Sequence, residues 1–319
     1  LSTMQDAPLS IAQLLRHGAS VHGASEVVTW TESGPRRVSY ADVGKRCAQL
    51  AHALRGLGVE GDERVATFMW NNSEHLEAYL AIPSMGAVLH TLNIRLFPEQ
   101  LIHVANHAED RVMMTDLTFV PLLEKLADKL PTIERYIVLT DAAHMPQTTL
   151  KNAVPYEDYI AESDGDFAWK SFDENTACGM CYTSGTTGNP KGVVYSHRSN
   201  IIHSLVANGP DMFGLSARDV VLPVVPMFHA NGWSLAFSAP MAGASLVLPG
   251  AKMDGASIYE LLDTYKVTKS AAVPTVWLML LQQLEQNDQK LPHLDKTVIG
   301  GSACPRAVTE KFRDVYGVE

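Results

Sequence analysis

The sequence is poor in cysteine and in clustered positive charge. It has four cysteines in 319 residues, Cys47, Cys178, Cys181 and Cys304, as expected of a protein kept in a reducing compartment. Lysine and arginine number 25 against 35 aspartates and glutamates, so the formal net charge is −10. No run of more than two basic residues offsets this acidity. Since nucleic-acid-binding proteins neutralise phosphates with clustered cations, nucleic acid is disfavoured as a partner.

Long apolar runs and repeats are also missing. The longest apolar stretch, WSLAFSAPMAGASLVLPG, is interrupted by Pro240 and Gly243 and is too short to predict a membrane span. No basic segment followed by an apolar run opens the chain, so the sequence does not predict a signal peptide. We therefore expect a cytoplasmic protein without a transmembrane segment, with peripheral membrane association left open.

Short β-type runs alternate with helical runs throughout the sequence. ERVATFMW, RVMMTD, YIVLT, TACGMCYT, VVLPVVPMF, SLVLPG and KTVIGG predict strands. Two of the intervening helices are predicted to begin at caps, Ser39 and Ser73. This alternation predicts an α/β fold with mostly parallel sheets flanked by helices. Because residues 141–175 are more polar, we predict two βα subdomains, 1–175 and 176–319.

The most informative stretch is CYTSGTTGNPKGVVYSHRSN, at residues 181–200. Its glycines allow backbone N–H groups to point inward, where they act as fixed positive dipoles. Ser184, Thr186 and Thr187 add hydroxyl groups, and Lys191 adds a full positive charge. A loop of this composition suits a polyphosphate, and open α/β sheets bind ligands where such loops leave their strands. The alternative without a binding function is a solvated turn, which this combination of residues disfavours.

The loop differs from the common P-loop of kinases and GTPases. That pattern requires a glycine, four residues, and then glycine, lysine and serine or threonine. Here Gly185 is followed by TTGNPKG, so Pro190 stands at the position of the second glycine. Gly192 stands where the hydroxyl residue should follow the lysine. A P-loop enzyme is therefore disfavoured.

The segment YTSGTTGNPKGVVYSH, at residues 182–197, instead resembles the phosphate-loop signature of the adenylate-forming superfamily. PMFHANGW, at 226–233, and VIGGSACP, at 298–305, resemble two further motifs of that superfamily, in the same order. NNSEHLEAYLAIPSMGAVLHTLN looks like fatty-acyl-CoA ligases in particular. The resemblance covers essentially the whole chain and implies the N-terminal part of the acyl-CoA synthetase-like fold.

The resemblance implies a two-step ligase reaction. A carboxylate attacks ATP to give acyl-AMP and pyrophosphate, and the thiol of CoA then displaces AMP. The implied substrate is a medium- or long-chain fatty acid, the implied metal is Mg²⁺, and a homodimer is expected on resemblance alone. An aryl- or short-chain-acid ligase, a non-catalytic nucleotide- or acyl-binding relative, and a peptide-synthetase module are the alternatives.

The resemblance also implies roles for individual residues. Those implied to hold the phosphates are Thr183, Ser184, Gly185, Thr186, Thr187, Gly188 and Lys191, with Mg²⁺ near Thr183 or Thr187. Lys191 and His229 would be catalytic, and His229 and Trp233 would contact the acyl substrate. For both His229 and Trp233 the alternative is a place in the hydrophobic core. The adenine and acyl pockets would be lined by Gly300, Gly301, Ser302 and Ala303.

Two histidine and cysteine patterns are weaker signals. Cys178 and Cys181 have a metal-like spacing, but residues three apart in a strand point to opposite sides. His103 and His107 share one helix face without the glutamate of the zinc-protease motif. We interpret the cysteines as strand residues and the histidines as a surface or packing pair.

Later superfamily motifs cannot be located in these 319 residues. They comprise a threonine–glutamate pair, an aspartate for the ribose and a small C-terminal domain with a catalytic lysine. We therefore expect the chain to be an N-terminal portion that lacks the small domain and is inactive alone.

Overall fold

The computed structural model describes residues 2–183 and 189–319. In this part of the chain helices and strands alternate. The helices are α1 (Ile11–Val21), α2 (Tyr40–Gly56), α3 (Ser73–Ser84), α4 (Pro98–His107), α5 (Val120–Leu126), α6 (Tyr156–Ala161), α7 (His197–Ala207), α8 (Leu235–Ala242), α9 (Gly255–Thr264), α10 (Pro274–Gln286) and α11 (Arg306–Tyr316). The strands are β1 (Glu26–Thr29), β2 (Arg36–Ser39), β3 (Arg64–Phe68), β4 (Val88–Thr91), β5 (Val112–Asp116), β6 (Arg135–Leu139), β7 (Val154–Pro155), β8 (Ala177–Thr183), β9 (Lys191–Ser196), β10 (Val220–Pro223), β11 (Ser245–Leu248), β12 (Lys269–Ala272) and β13 (Lys296–Ile299).

The chain forms two compact units, each assembled from separate stretches. The first unit contains Leu1–His17, Gly44–Met69 and Glu77–His203. The second contains Gly18–Val43, Trp70–Leu76 and Ser204–Glu319. The division into subdomains at residues 175 and 176 stays a prediction.

The first unit is built on a seven-stranded sheet with the order β7-β6-β5-β3-β4-β8-β9. All neighbouring pairs are parallel except β8 and β9, which form an antiparallel hairpin. One hydrophobic core of this unit joins residues of β3, β5 and α4 and includes Phe68, Met113 and Leu101. The phosphate-loop segment therefore connects the last two strands at one edge of this sheet.

The second unit is built on a six-stranded sheet with the order β13-β12-β10-β11-β1-β2. Only β1 and β2 are antiparallel. Its core includes Trp277, Leu280 and Leu284 of α10, packed with Phe312 of α11. The prediction of two mostly parallel sheets flanked by helices is confirmed.

Two helix caps show how local chemistry sets these elements. Ser39 Oγ accepts from the N–H of Asp42 at 3.1 Å, and the Asp42 carboxylate accepts from the N–H of Ser39 at 2.9 Å. This reciprocal cap is the predicted start of α2. At α3 the predicted cap, Ser73, is wrong. Asn72 Oδ1 accepts from the N–H of His75 at 2.9 Å, so the asparagine before Ser73 caps the helix.

No helix in the described stretches combines the length and apolar character that a bilayer crossing requires. The apolar stretch around Pro240 instead forms α8, whose residues 235–240 are all buried, followed by the buried strand β11. Its hydrophobicity is therefore accounted for by packing within the second unit.

Candidate functional site

The hairpin of β8 and β9 positions the two described ends of the phosphate-loop segment. Thr183, the last residue of β8, lies opposite Lys191, the first residue of β9. Both side chains are exposed, and Thr183 Oγ1 donates to the Lys191 carbonyl oxygen at 3.5 Å. The predicted loop residues Ser184, Gly185, Thr186, Thr187 and Gly188 lie outside the described residues. The hairpin therefore brings Lys191 next to Thr183, the residue at which the loop segment leaves β8.

Gly192 is closely packed inside the hairpin stem. An ideal Cβ at Gly192 would lie 3.2 Å from Cζ of Tyr182 and 3.3 Å from Cε of Met180. Tyr182 is the cross-strand partner of Gly192 and its ring is largely buried. A glycine immediately after Lys191 therefore allows the stem to close over the tyrosine ring.

The hydroxyl of Tyr182 is anchored to α4. It lies 2.6 Å from Nδ1 of His107. Burial, with a smaller contribution from the Asp110 carboxylate, raises the pKa of the Tyr182 hydroxyl, so the phenol keeps its proton and shares a hydrogen bond with His107 Nδ1. The ring of His107 stacks on that of His103 with centroids 5.5 Å apart. The predicted histidine pair on one helix face is confirmed, and one of its members supports the loop stem.

A buried histidine–aspartate pair also lies next to Tyr182. Nδ1 of His90 is 2.8 Å from both carboxylate oxygens of Asp110, and both side chains are fully buried. Burial raises the pKa of Asp110, and the neighbouring His90 opposes that shift. The His90 ring centroid is 5.3 Å from that of Tyr182. Sequence reasoning missed this pair, although a histidine inside the apolar strand run VLHT was a usable signal.

The cysteines of β8 have separate surroundings. Cys178 Sγ accepts from Nδ2 of Asn200 at 3.0 Å, whereas Cys181 Sγ lies 3.7 Å from the hydroxyl of Tyr195. Burial raises the pKa of the Cys178 thiol to about 12. The interpretation of both residues as strand residues is confirmed.

In the second unit, the PMFHANGW motif follows the carboxyl end of β10 and contains a left-handed turn. Residues 230–234 have φ values of 46°, 51°, 55°, 52° and 63°. Asn231 and Gly232 tolerate this region, but Ala230, Trp233 and Ser234 are strained there by about 1–2 kcal/mol each. Strain of this kind persists only where packing enforces it, and it concentrates at functional sites.

His229 precedes this turn and Trp233 lies within it, and the two side chains differ in exposure. His229 is exposed, so the alternative of a buried core histidine does not describe it. Trp233 is half-buried, and its indole packs on the turn that follows β13. The two predicted substrate residues therefore belong to one short, conformationally constrained segment.

The two glycines after β13 leave no room for a side chain, and Gly300 packs against the Trp233 indole. An ideal Cβ at Gly300 would lie 2.9 Å from Cη2 of Trp233. Gly301 has a φ of +82°, and its Cβ would lie 3.0 Å from Cγ1 of Val273. Ser302 and Ala303 follow as exposed residues. The structure thus brings together the predicted acyl-side tryptophan and the predicted adenine-side glycines.

The carboxyl ends of β10 and β13 lie at the same edge of the six-stranded sheet, because both strands are parallel to β12, which lies between them. Ligands of open α/β sheets bind at this edge. A cavity of about 540 Å³ beside β13 is lined by Thr297, Ile299, Phe312 and neighbouring residues and by none of the predicted site residues. The strand-end edge is therefore the better candidate site.

The described residues offer limited support for a metal. Thr183 supplies an exposed hydroxyl oxygen whose contact to the Lys191 carbonyl is long, so it can turn toward a cation. Mg²⁺ takes few protein oxygens when substrate phosphates complete its octahedron. The described stretches hold no cluster of three histidine, cysteine or carboxylate ligands. Thr183 therefore fits as one ligand of a phosphate-bound Mg²⁺.

Comparison with known proteins identifies the family of the chain. Residues 15–319 match the family described as AMP-binding enzyme. The chain is 43% identical over 322 residues to the 3-methylmercaptopropionyl-CoA ligase of Ruegeria pomeroyi, covering all of this chain and 59% of the relative. It is 45% identical over 319 residues to the long-chain-fatty-acid–CoA ligase of Thermus thermophilus, covering all of this chain and 57% of the relative.

A solved structure agrees at the level of the fold. The crystal structure of an anthranilate CoA ligase in complex with anthranoyl-AMP superimposes with a TM-score of 0.86 and 25% identity. The match covers 99% of this chain and 60% of that one. The chain therefore spans somewhat more than half the length of its relatives, and it belongs to the AMP-binding enzyme family.

Proposed function

We propose that the whole protein carrying this chain is an AMP-forming acid–CoA ligase. The observation that carries the proposal is the hairpin in which the exposed Lys191 lies opposite the exposed Thr183, at the two described ends of the loop segment. A fixed cation at the end of a hydroxyl- and glycine-rich segment suits a triphosphate. The match of residues 15–319 to AMP-binding enzymes favours ATP over other phosphorylated ligands.

In the first step, a carboxylate oxygen of the acid attacks the α-phosphorus of ATP. The bond from that phosphorus to the bridging oxygen breaks, and its electron pair leaves with pyrophosphate. Lys191, the hydroxyl of Thr183 and the loop residues 184–188 stabilise the charge that grows on the leaving group. Removal of one preorganised donor typically costs about 10²–10³ in rate. Mg²⁺ held by Thr183 or Thr187 would neutralise further charge on the phosphates.

In the second step, the thiolate of CoA attacks the acyl carbonyl carbon, and AMP leaves with the electron pair of the broken carbon–oxygen bond. His229, exposed at the strand-end edge, orients the acid carboxylate and the α-phosphate for the first step. The adenine side is formed by Gly300, Gly301, Ser302 and Ala303. Trp233, which packs on Gly300, borders the acyl chain.

We propose a medium- or long-chain fatty acid as the substrate. Ligases named for such acids support this choice, at 44% identity in Ectopseudomonas oleovorans and 45% in Thermus thermophilus. A second candidate is a short thioether acid, which the 43% identity to 3-methylmercaptopropionyl-CoA ligases favours. The apolar segment after Trp233 does not decide between them, because α8 is buried as part of the core. A homodimer is proposed on resemblance to long-chain ligases, and light scattering of the whole protein tests it.

The test is pyrophosphate release by the whole protein with ATP and a panel of acids. The panel contains butyrate, 3-(methylthio)propionate, octanoate, palmitate and benzoate, and acyl-CoA is then measured on addition of CoA. We expect release with at least one aliphatic acid, followed by thioester formation. Release with benzoate alone would favour an aryl-acid ligase. Absence of release with every acid would favour a non-catalytic nucleotide- or acyl-binding protein.

A further inference from the structure

Asn71 is a fully buried asparagine in the second unit, and its carboxamide forms three hydrogen bonds to the main chain. Its Nδ2 donates to the carbonyl oxygens of Pro223 and Val225, each at 2.9 Å. Its Oδ1 accepts from the N–H of Met227 at 2.8 Å. All three partners belong to the segment that leaves β10 toward the PMFHANGW motif.

These main-chain groups lie where β10 ends and its regular pairing with β12 stops. The N–H groups of Val224 and Val225 both donate to the carbonyl of Ala271 in β12. The segment is buried there, so its remaining carbonyl and N–H groups need partners other than water. The carboxamide supplies two donors and one acceptor in the order that the segment requires.

Asn71 is itself fixed across the strand ends. Its carbonyl oxygen accepts from the N–H of Gly250, just beyond β11, at 3.0 Å. Two residues later, the N–H of Ser73 donates to Oγ1 of Thr29, the last residue of β1, at 3.0 Å. Asn71 therefore ties the exit of β10 to the end of β11, and the neighbouring Ser73 ties the same segment to the end of β1.

The segment that Asn71 holds leads directly to His229. Met227 lies two residues before His229, whose N–H donates to the carbonyl of Pro226 at 3.2 Å. The left-handed turn packs back on the same point, because an ideal Cβ at Gly232 would lie 3.4 Å from Cα of Met227. The position of His229 is thus determined on one side by the turn and on the other by Met227.

We propose that Asn71 is a positioning residue that sets the location of His229 through the main chain of residues 223–227. The inference rests on the proposed function, because His229 is the group whose placement it serves. The substitution Asn71→Asp keeps the shape of the side chain but reverses its chemistry, since a carboxylate would face two carbonyl oxygens and could donate to neither. We call the three hydrogen bonds from the Asn71 carboxamide to Pro223, Val225 and Met227 the clamp. Its loss should lower the rate of adenylation more than it weakens ATP binding.

The test compares Asn71→Ala and Asn71→Asp with Asn72→Asp in the whole protein, by pyrophosphate release. Asn72→Asp is the matched control, because it makes the same change at the next residue while retaining the oxygen that caps α3. We expect both Asn71 variants to lose about 10²-fold in kcat with little change in KM for ATP, as a misplaced reacting group does. The control should keep a rate close to that of the unmodified protein.

A double-mutant cycle with His229→Ala separates positioning from general stability. If Asn71 acts through His229, then Asn71→Ala should add little loss of kcat once His229 is alanine. Losses that multiply, or a folded Asn71→Ala variant with unchanged kcat, would overturn the inference while leaving the ligase function intact. An unmodified protein that releases no pyrophosphate with any acid would overturn the proposed function itself, and the inference with it.

Hydrogen exchange in the unmodified protein covers the case in which the Asn71 variants fail to fold. The amide of Met227 should exchange slowly, because its hydrogen bond to the buried Oδ1 of Asn71 must open first. Exchange at the rate of an open loop would show that the clamp is absent and would refute the inference.

Discussion

The contact between Gly300 and Trp233 predicts a specific coupling between these two residues. Replacing Gly300 with alanine puts a methyl carbon 2.9 Å from Cη2 and 3.2 Å from Cζ2 of the indole. Ordinary carbon–carbon contacts are about 3.5–4.0 Å, so the ring must move by more than half an ångström. The left-handed backbone of Trp233, with φ of 52°, limits how it can yield.

The expected cost follows from overpacking. A methyl forced into a filled site lowers the free energy of unfolding by about 1–3 kcal/mol. The same substitution should be nearly neutral once Trp233 is alanine, because the obstructing ring is gone. The cycle of Gly300→Ala, Trp233→Ala and the double variant should therefore show a coupling of about 1–3 kcal/mol.

Equilibrium urea unfolding of the four proteins, followed by circular dichroism, measures this coupling. Gly301→Ala serves as a comparison, because its φ of +82° and its contact with Val273 make it costly with or without the indole. If Gly300→Ala cost the same in both backgrounds, the packing of Trp233 on the β13 turn would be refuted. The coupling is a property of the fold and does not depend on the ligase proposal.

Three further predictions concern the phosphate loop, the acyl side and acid stability. Lys191→Ala in the whole protein should slow pyrophosphate release about 10²–10³-fold while acid binding persists. Lys191→Arg is the control that keeps the charge. An unchanged rate in Lys191→Ala would contradict the proposed role of Lys191 at the phosphates. Trp233→Ala should change the relative activities with butyrate, octanoate and palmitate more than it changes KM for ATP. A uniform loss of activity with all three acids would indicate that Trp233 serves packing alone. Burial lowers the pKa of His75 to about 4, and the hydrogen bond to the Trp70 carbonyl opposes this shift. Between about pH 4 and pH 6.5 the folded state therefore keeps this histidine neutral, whereas the unfolded state binds a proton. Stability should then rise with pH between about 4 and 6.5, and His75→Asn should remove about 1.5 kcal/mol of the change from pH 5 to 6.5. An unaltered pH profile of urea midpoints would refute the assignment.

The sequence was most informative where a local pattern and the tertiary environment agree. The helical spacing of apolar residues after Ser39 predicts α2, and Val43, Cys47 and Leu50 are indeed buried. The short apolar runs predict strands of both sheets, because strands covered on both faces are apolar throughout. The polar stretch 141–175 hid β7 and α6, which have only two and six residues and so leave little periodicity.

The missed features depend on partners that are distant in sequence. Asn71 and its partner segment are separated by 152 to 156 residues, so the clamp has no local signature. His90 and Asp110 are 20 residues apart and meet only because β4 and the start of β5 flank the same strand. The left-handed turn at 230–234 was also hidden, since only Asn231 and Gly232 favour such φ values.

The interleaving of the two units along the chain limits how the protein can be recombined with its relatives. The six-stranded sheet takes β1 and β2 from residues 26–39 and its other strands from residues after 219. The seven-stranded sheet takes β8 and β9 from beyond residue 175. A chimera with one crossover at residue 175 would therefore build each sheet from both parents and place β8 of one parent against β4 of the other. Exchange of an intact sheet requires at least two crossovers, one between β2 and β3 and one between β9 and β10. Such crossovers leave the β4–β8 and β1–β11 pairings each within one parent.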